Sequence, residues 1–137
     1  MDFLVLLVLW AVALVMVLTT RNQVLTELKQ RYRKFLEVLP DKFAQLRNPG
    51  IVTGTYAKGD IGSNVNKGGE IYVCLEDSVN DAFHVLLHEL AHSAVKEYDH
   101  SQHFWDTFKE LKDLAVSNGF YTPVWTKNYC GKQISDN

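Results

Sequence analysis

The first forty residues carry two different patterns of apolar positions. Residues 3–18 are apolar without interruption, and two threonines extend the uncharged stretch to eighteen residues. A helix of that length spans about 27 Å, close to the hydrocarbon thickness of a bilayer. Over residues 22–39, leucine and aromatic residues recur at three- and four-residue steps, and Pro40 ends the run. The pattern predicts an apolar helix followed by an amphipathic one.

Two strand patterns flank a glycine-rich segment in the middle of the chain. β-branched residues favour a strand over residues 51–56, and alternation of apolar and polar positions favours a second strand over residues 70–76. Residues 57–69 contain four glycines among polar residues and lack the spacing of a phosphate-binding loop. We therefore predict that this segment is a loop.

The second half of the chain has two further helical patterns. The apolar run over residues 80–98 predicts a helix, and residues 77–81 offer side chains that can cap its start. Ser101 can begin another helix, which Asn118 and Gly119 would end. We expect the aromatic residues of the tail, residues 120–137, to pack back onto the domain and its last residues to be loosely held.

The first of these helices carries the motif H-E-x-x-H. His88 and His92 are four residues apart, so on a helix they share one face and can bind one metal ion from the same side. Glu89 lies about 100° around the helix, where a general base acting on metal-activated water belongs. His84 extends the stripe by one turn. The alternative is a buried helix with hydrogen-bonded core histidines, but three histidines on one stripe need polar partners that an apolar interior lacks.

A catalytic zinc site needs a third protein ligand, and the sequence offers several after the helix. Metzincins continue as H-E-x-x-H-x-x-G-x-x-H, but Val95 and Tyr98 stand at the glycine and third-histidine positions, so that class is excluded. His100 lies in the predicted turn and can reach back towards the motif. Three other residues are candidates. His103 lies one turn further into the next helix, Glu110 lies on its solvated flank, and Asp99 lies beside the turn.

The segment from His88 to Trp105 resembles the WLM and SprT-type zinc metallopeptidases. In those families a histidine with an aromatic residue four positions later follows the H-E-x-x-H helix, and His100 and Phe104 match that spacing. The resemblance implies that His100 is the third ligand, and that the strand over residues 71–75 is the edge strand beside the substrate cleft. The segment is also similar to small H-E-L-A-H proteins of large DNA viruses, some of which carry an N-terminal membrane segment.

Composition and charge narrow the class of protein further. The 137 residues suit one domain, and a formal net charge of −2 gives no indication of nucleic-acid binding. Cys74 and Cys130 lie far apart and form no Cys-x-x-Cys pair, so they could form one disulfide or remain two buried thiols. We expect free thiols, as in a cytosolic protein.

The apolar N-terminal stretch is interpreted as a membrane anchor. A cleaved signal peptide would have a positive charge before the apolar run and small residues after it, whereas Asp2 precedes the run and Thr-Thr-Arg-Asn follows it. Five basic residues follow closely: Arg21, Lys29, Arg31, Arg33 and Lys34. The positive-inside rule then predicts a single-pass protein whose C-terminal domain lies on the cytosolic side.

These observations give an expected organisation for the whole chain. Residues 1–20 form a transmembrane anchor, residues 21–50 an amphipathic helical linker region, and residues 51–137 a metallopeptidase domain. The expected fold class is α+β and zincin-like, with a small β-sheet, an active-site helix and a C-terminal helix.

The primary hypothesis is a membrane-anchored zinc endopeptidase that hydrolyses a polypeptide substrate. His88, His92 and His100 would hold Zn²⁺, and Glu89 would be the general base. Tyr98, Tyr121 and Tyr129 are candidate stabilisers of an oxyanion, although core packing accounts for each as well.

The alternative is a non-catalytic anchored protein, with a structural metal site or a degenerate protease fold that binds partners. Structural zinc sites fill all four coordination positions, so a fourth ligand such as His103 would favour this alternative. Membrane remodelling by the N-terminal helices ranks last.

Overall fold

The computed structural model describes residues 2–136 and has an α+β architecture. In the described residues, three α-helices and a 3-10 helix accompany a three-stranded and a two-stranded sheet. The elements, in chain order, are α1 (Phe3–Glu37), the 3-10 helix (Asp41–Leu46), β1 (Ile51–Thr55), β2 (Gly62–Val65), β3 (Glu70–Cys74), α2 (Val79–Ala94), α3 (Gln102–Ser117), β4 (Trp125–Tyr129) and β5 (Lys132–Ser135).

Helix α1 is a single helix that merges the two predicted ones. Its side chains are exposed as far as Thr20, whereas one face beyond Val24 enters the core. It is the one helix of the described chain long and apolar enough to cross a membrane, with a mean hydropathy of 2.8 over eighteen residues and none of that window buried. The buried residues of its second half are Val24, Leu28, Tyr32, Phe35 and Leu36.

The three-stranded sheet has the order β1-β3-β2. Strand β3 is its centre, parallel to β1 and antiparallel to β2, and Ile71 is opposite both Val52 and Asn64. The expectation that residues 71–75 form the edge strand is therefore wrong, because β2 is the edge strand that packs beside α2. Sequence reasoning took β2 for loop. Its half-buried Gly-Ser-Asn-Val sequence has no run of large apolar residues to mark a strand.

The predicted starts of α2 and α3 are confirmed by their caps. Ser78 accepts a hydrogen bond from the backbone N–H of Asp81, and Ser101 accepts one from that of Phe104. Helix α2 ends at Ala94, four residues earlier than the apolar run suggested. Its back is buried against α1 and the sheet, and burial of each large apolar side chain contributes about 1.5–3 kcal/mol.

The tail forms a hairpin, β4–β5, that sequence reasoning did not foresee. Cys130 at its turn is disulfide-bonded to Cys74 at the end of β3, with a Cα–Cα distance of 6.5 Å. The expectation of free thiols is therefore wrong. The two cysteines are 56 residues apart, and only the hairpin's position against the sheet brings them together. Asp136 is also held by hydrogen bonds, contrary to the expected loose end; Asn137 lies outside the described residues.

Candidate metal centre

The end of α2 and the turn before α3 bring three imidazole rings together. His88 and His92 lie on the front of α2, and His100 stands immediately before the residue that caps α3. The Nε2 atom of His100 is 3.2 Å from that of His88 and 3.1 Å from that of His92. One nitrogen atom from each ring lies within 4.8 Å of the other two. This is the convergence that the sequence predicted for these residues.

The geometry of the three rings fits a zinc ion. Tetrahedral zinc with Zn–N bonds of 2.0–2.1 Å requires nitrogen atoms about 3.3 Å apart, close to the separations found here. Burial, together with the neighbouring imidazoles, lowers the pKa of His88 to about 3 and that of His92 to about 4. His88 and His92 are therefore neutral at pH 7, which is the state that binds a metal.

Aromatic packing fixes the orientation of the rings. Phe104 is fully buried, stacks on His92 with ring centroids 4.3 Å apart, and meets His88 edge-on at 4.9 Å. Trp105 lies beside His100, with ring centroids 5.3 Å apart. Phe104 and Trp105 lie in the first turn of α3, so the helix that begins just after His100 also supplies the aromatic residues packed against the rings. This gives a physical reason for the aromatic residue four positions after His100.

Glu89 is buried with an unpaired oxygen and lines the same cavity as His92. Its Oε2 atom has no hydrogen-bond partner among the described residues, and only 5% of the residue is exposed. Burial, with a smaller contribution from the carboxylate of Asp60, raises the pKa of Glu89 to about 7. Burying a carboxylate without a hydrogen-bond partner costs free energy. The unpaired oxygen of Glu89 is therefore suited to accept a proton from a water molecule.

The turn between β2 and β3 clamps the C-terminal end of α2. Lys67 donates hydrogen bonds from Nζ to the carbonyl oxygens of His92, Val95 and Glu97, at 2.9, 2.9 and 2.6 Å. Its ammonium group also lies 4.2 Å from the ring centroid of Tyr98. Three carbonyls at a helix end attract a cation, so Lys67 fixes both His92 and the start of the segment that leads to His100.

Asn64, on β2, contacts the same helix. Its Nδ2 atom donates to the carbonyl oxygen of Glu89 and to Oγ of Ser93, both at 2.6 Å, while its Oδ1 atom accepts from the N–H of Gly68. Sequence reasoning missed Asn64 and Lys67. Neither residue stands in a motif, and each acts only because the turn folds against a helix some 25 residues further along the chain.

His84 does not join the other histidines. Its Nδ1 atom lies 2.7 Å from the hydroxyl of Tyr121, which donates to Asp136 at 2.8 Å, and Lys112 lies 3.1 Å from the same carboxylate. Burial lowers the pKa of His84 to about 4, although the Asp136 carboxylate opposes the shift. His84 is therefore a hydrogen-bonded core histidine.

The other candidate residues lie away from the three rings or have other partners. His103 is exposed, with Nδ1 3.4 Å from a carboxylate oxygen of Glu97. Glu110 pairs with Lys42 on the surface, as its position on a solvated flank suggested. The hydroxyl of Tyr129 donates to the carbonyl oxygen of Cys74, so it is already satisfied.

A helix with H-E-x-x-H, packed beside a small mixed sheet and completed by a third imidazole, defines this protein as an α+β domain with a candidate metal centre. Residues 21–133 match the WLM domain family, and the chain belongs to that family. The match begins where the exposed apolar half of α1 ends. The resemblance seen in the sequence is thereby confirmed.

The chain is also similar to uncharacterised proteins of large DNA viruses. It is 39% identical over 72 residues to one from Invertebrate iridescent virus 6, covering 44% of this chain and 40% of the relative. It is 33% identical over 69 residues to one from Invertebrate iridescent virus 3, covering 44% and 43%. A protein of Acanthamoeba polyphaga mimivirus is 32% identical over 83 residues, which cover 53% of this chain and 42% of that protein. The matched region is thus less than half of each relative's length. No solved structure matches the chain.

Proposed function

We propose that this chain is a membrane-anchored, zinc-dependent endopeptidase with a zincin-like domain. The observation that carries the proposal is the convergence of three imidazoles near a buried carboxylate that has an unpaired oxygen. The Nε2 atom of His100 lies 3.1–3.2 Å from those of His88 and His92. Membership of the WLM family supports a metallopeptidase-like role. His88, His92 and His100 would hold the ion, and three protein ligands leave one of four positions open.

The chain's own residues have distinct roles in hydrolysis. A bound zinc ion would supply Lewis acidity, which lowers the pKa of water towards about 7 and polarises the scissile carbonyl. Glu89 takes the proton of the attacking water on its unpaired carboxylate oxygen, and its pKa of about 7 suits both the uptake and the later release of that proton. It then protonates the leaving amine. Lys67 and Asn64 keep the end of α2 in place.

The direct test compares wild type with Glu89→Gln, using the full chain in detergent and a denatured-protein substrate. The substitution keeps the size of the side chain but removes the base, so we expect cleavage to fall by about 10²–10⁴-fold while zinc content stays unchanged. Equal cleavage by both proteins would contradict the mechanism. Stoichiometric zinc without any cleavage by wild type would favour the non-catalytic alternative.

The side of the membrane on which the domain lies is a separate prediction. The basic residues after the apolar stretch favour the cytosolic side. The disulfide between Cys74 and Cys130 is instead typical of proteins in oxidising compartments. Protease protection in sealed vesicles whose cytosolic face is outward decides between them, because only a domain on that face is then digested without detergent.

A further inference from the structure

The candidate metal centre is joined to the apolar helix without a flexible linker. Helix α1 runs unbroken from Phe3 to Glu37, and its buried face begins at Val24, within two turns of the apolar stretch. The guanidinium of Arg21 also lies 4.9 Å from the ring centroid of Tyr56, which ties the helix to the domain at the end of that stretch. An anchor built in this way holds the domain at one height above the bilayer.

Contacts between α1 and β1 show which residues of the two elements lie at the same level. The side chain of Leu25 lies next to Gly54, where an added Cβ would be 3.8 Å from its Cδ2 atom, and the hydroxyl of Tyr32 accepts from the N–H of Gly50 at 3.0 Å. The seven helical residues rise about 10.5 Å and the four strand residues span about 13 Å, so the two elements run nearly antiparallel.

Strand register in the sheet relates the level of β1 to that of α2. Val52, midway along that part of β1, is in register with Ile71, and Ile71 is in register with Asn64. Asn64 in turn donates to the carbonyl oxygen of Glu89, which lies between the two histidines of α2. The α2 backbone at Glu89, beside His88, is therefore about level with the part of α1 between Leu25 and Tyr32.

The height above the membrane follows from the rise of the helix. If the bilayer ends near Thr20, residues 25–32 lie about 8–18 Å above it at 1.5 Å per residue. A typical tilt of about 20° shortens this rise along α1 by less than a tenth. An extended polypeptide covers about 3.3 Å per residue, so this height corresponds to about two to six residues of a chain leaving the same membrane.

We infer that the site acts on juxtamembrane segments, within about six residues of the bilayer surface, in polypeptides anchored in the same membrane. The inference rests on the proposed function and adds a substrate class to it. The rigid helix sets the position of cleavage by distance, and this requires no recognition of a particular sequence. Polypeptide further from the membrane is reached less often, because an anchored enzyme and an anchored substrate meet only where their heights agree.

The experiment places the full chain and a single-span reporter together in sealed vesicles. The reporter carries one peptide that the full chain cleaves in detergent, separated from its membrane span by stiff proline-rich spacers of 4, 7, 10 or 15 residues, at about 3.1 Å per residue. We expect the shortest spacer to be cleaved at least about tenfold faster than the longest. Equal rates for all four spacers would overturn the inference.

Two insertion variants sharpen the test. Inserting Glu-Ala-Ala-Ala-Lys-Glu-Ala between Thr20 and Arg21 adds about two helical turns, or about 10.5 Å, and should move the preferred spacer up by about three residues. Seven Gly and Ser residues at the same place are the matched control, and they should abolish the preference. A preference that stays unchanged in both variants would overturn the inference.

Failure of the proposed function gives a different result. Both insertion variants should cleave the free peptide in detergent as fast as wild type, which shows that the domain is folded. If wild type cleaves the free peptide and also cleaves the reporters with all four spacers at equal rates, the proposed peptidase activity holds and the inferred dependence on distance from the membrane is wrong. If Glu89→Gln cleaves as well as wild type, the proposed function is wrong, and the inferred dependence on distance from the membrane is overturned with it.

Discussion

His84 and His88 stand one turn apart on the same face of α2, yet their surroundings differ. His84 lies in a closed polar cluster with Tyr121, Asp136 and Lys112, in which hydrogen bonds and ion pairs join the polar groups. His88 faces two other imidazoles and an aromatic wall. Burial lowers the pKa of both rings. The comparison teaches that spacing places a histidine on a face, whereas the groups opposite decide between a structural role and a ligand role.

Substitution of the two histidines should separate these roles most strongly. We expect His88→Ala to reduce bound zinc from about one ion per chain to near zero, because two imidazoles cannot complete the site. His84→Gln should keep full zinc content, since its amide can still bond to the Tyr121 hydroxyl. Metal analysis of the full chain in detergent measures both. Zinc retained by His88→Ala, or lost from folded His84→Gln, would contradict the assignment of His88 as a ligand and of His84 as a structural residue.

The pH dependence of stability should report on His84. Its pKa is about 4 when folded and about 6.5 when unfolded, so the unfolded chain binds the extra proton between those values. Its contribution to stability is therefore full above pH 6.5 and is lost as the pH falls to 4, a total of about 3 kcal/mol.

The His84→Gln variant isolates this contribution. Between pH 6.5 and pH 5, wild type should lose about 2 kcal/mol more unfolding free energy than the variant, measured by denaturant unfolding in detergent. Every other titrating group is common to the two proteins. Parallel pH profiles would show that His84 is not held neutral in the folded chain.

The clamp at the end of α2 should have the smallest effect. Lys67→Met removes three hydrogen bonds from Nζ to carbonyl oxygens, so we expect zinc affinity to fall by about tenfold without loss of the fold. Lys109→Met is the matched control, because that lysine pairs only with Asp113 on the exposed face of α3 in the described structure. Competition with a zinc chelator measures both variants. Equal affinities would show that Lys67 does not position the ligands.

Local patterns predicted the elements that carry the three histidines. The i, i+4 spacing placed His88 and His92, and the caps Ser78 and Ser101 marked where two helices begin. These signals lie within a few residues of the structure they specify. The role of the three histidines as metal ligands and that of Glu89 as base stay predictions.

What sequence reasoning missed depends on contacts between distant segments. Strand β2 and its clamp act on α2 across about 25 residues, and the hairpin pairs Cys130 with a cysteine 56 residues earlier. Their residues carry no distinctive spacing, because the partner of each is set by the tertiary fold. The closed cluster around His84 is of the same kind, since Asp136 lies more than fifty residues further along the chain.

X-ray absorption at the zinc edge tests the central claim most directly. The full chain in detergent, loaded with one equivalent of zinc, should show three imidazole ligands at about 2.0 Å and one further light-atom ligand that is not imidazole. That result would match three histidines and an open position. Four imidazoles, a sulfur ligand, or no bound zinc would contradict the account.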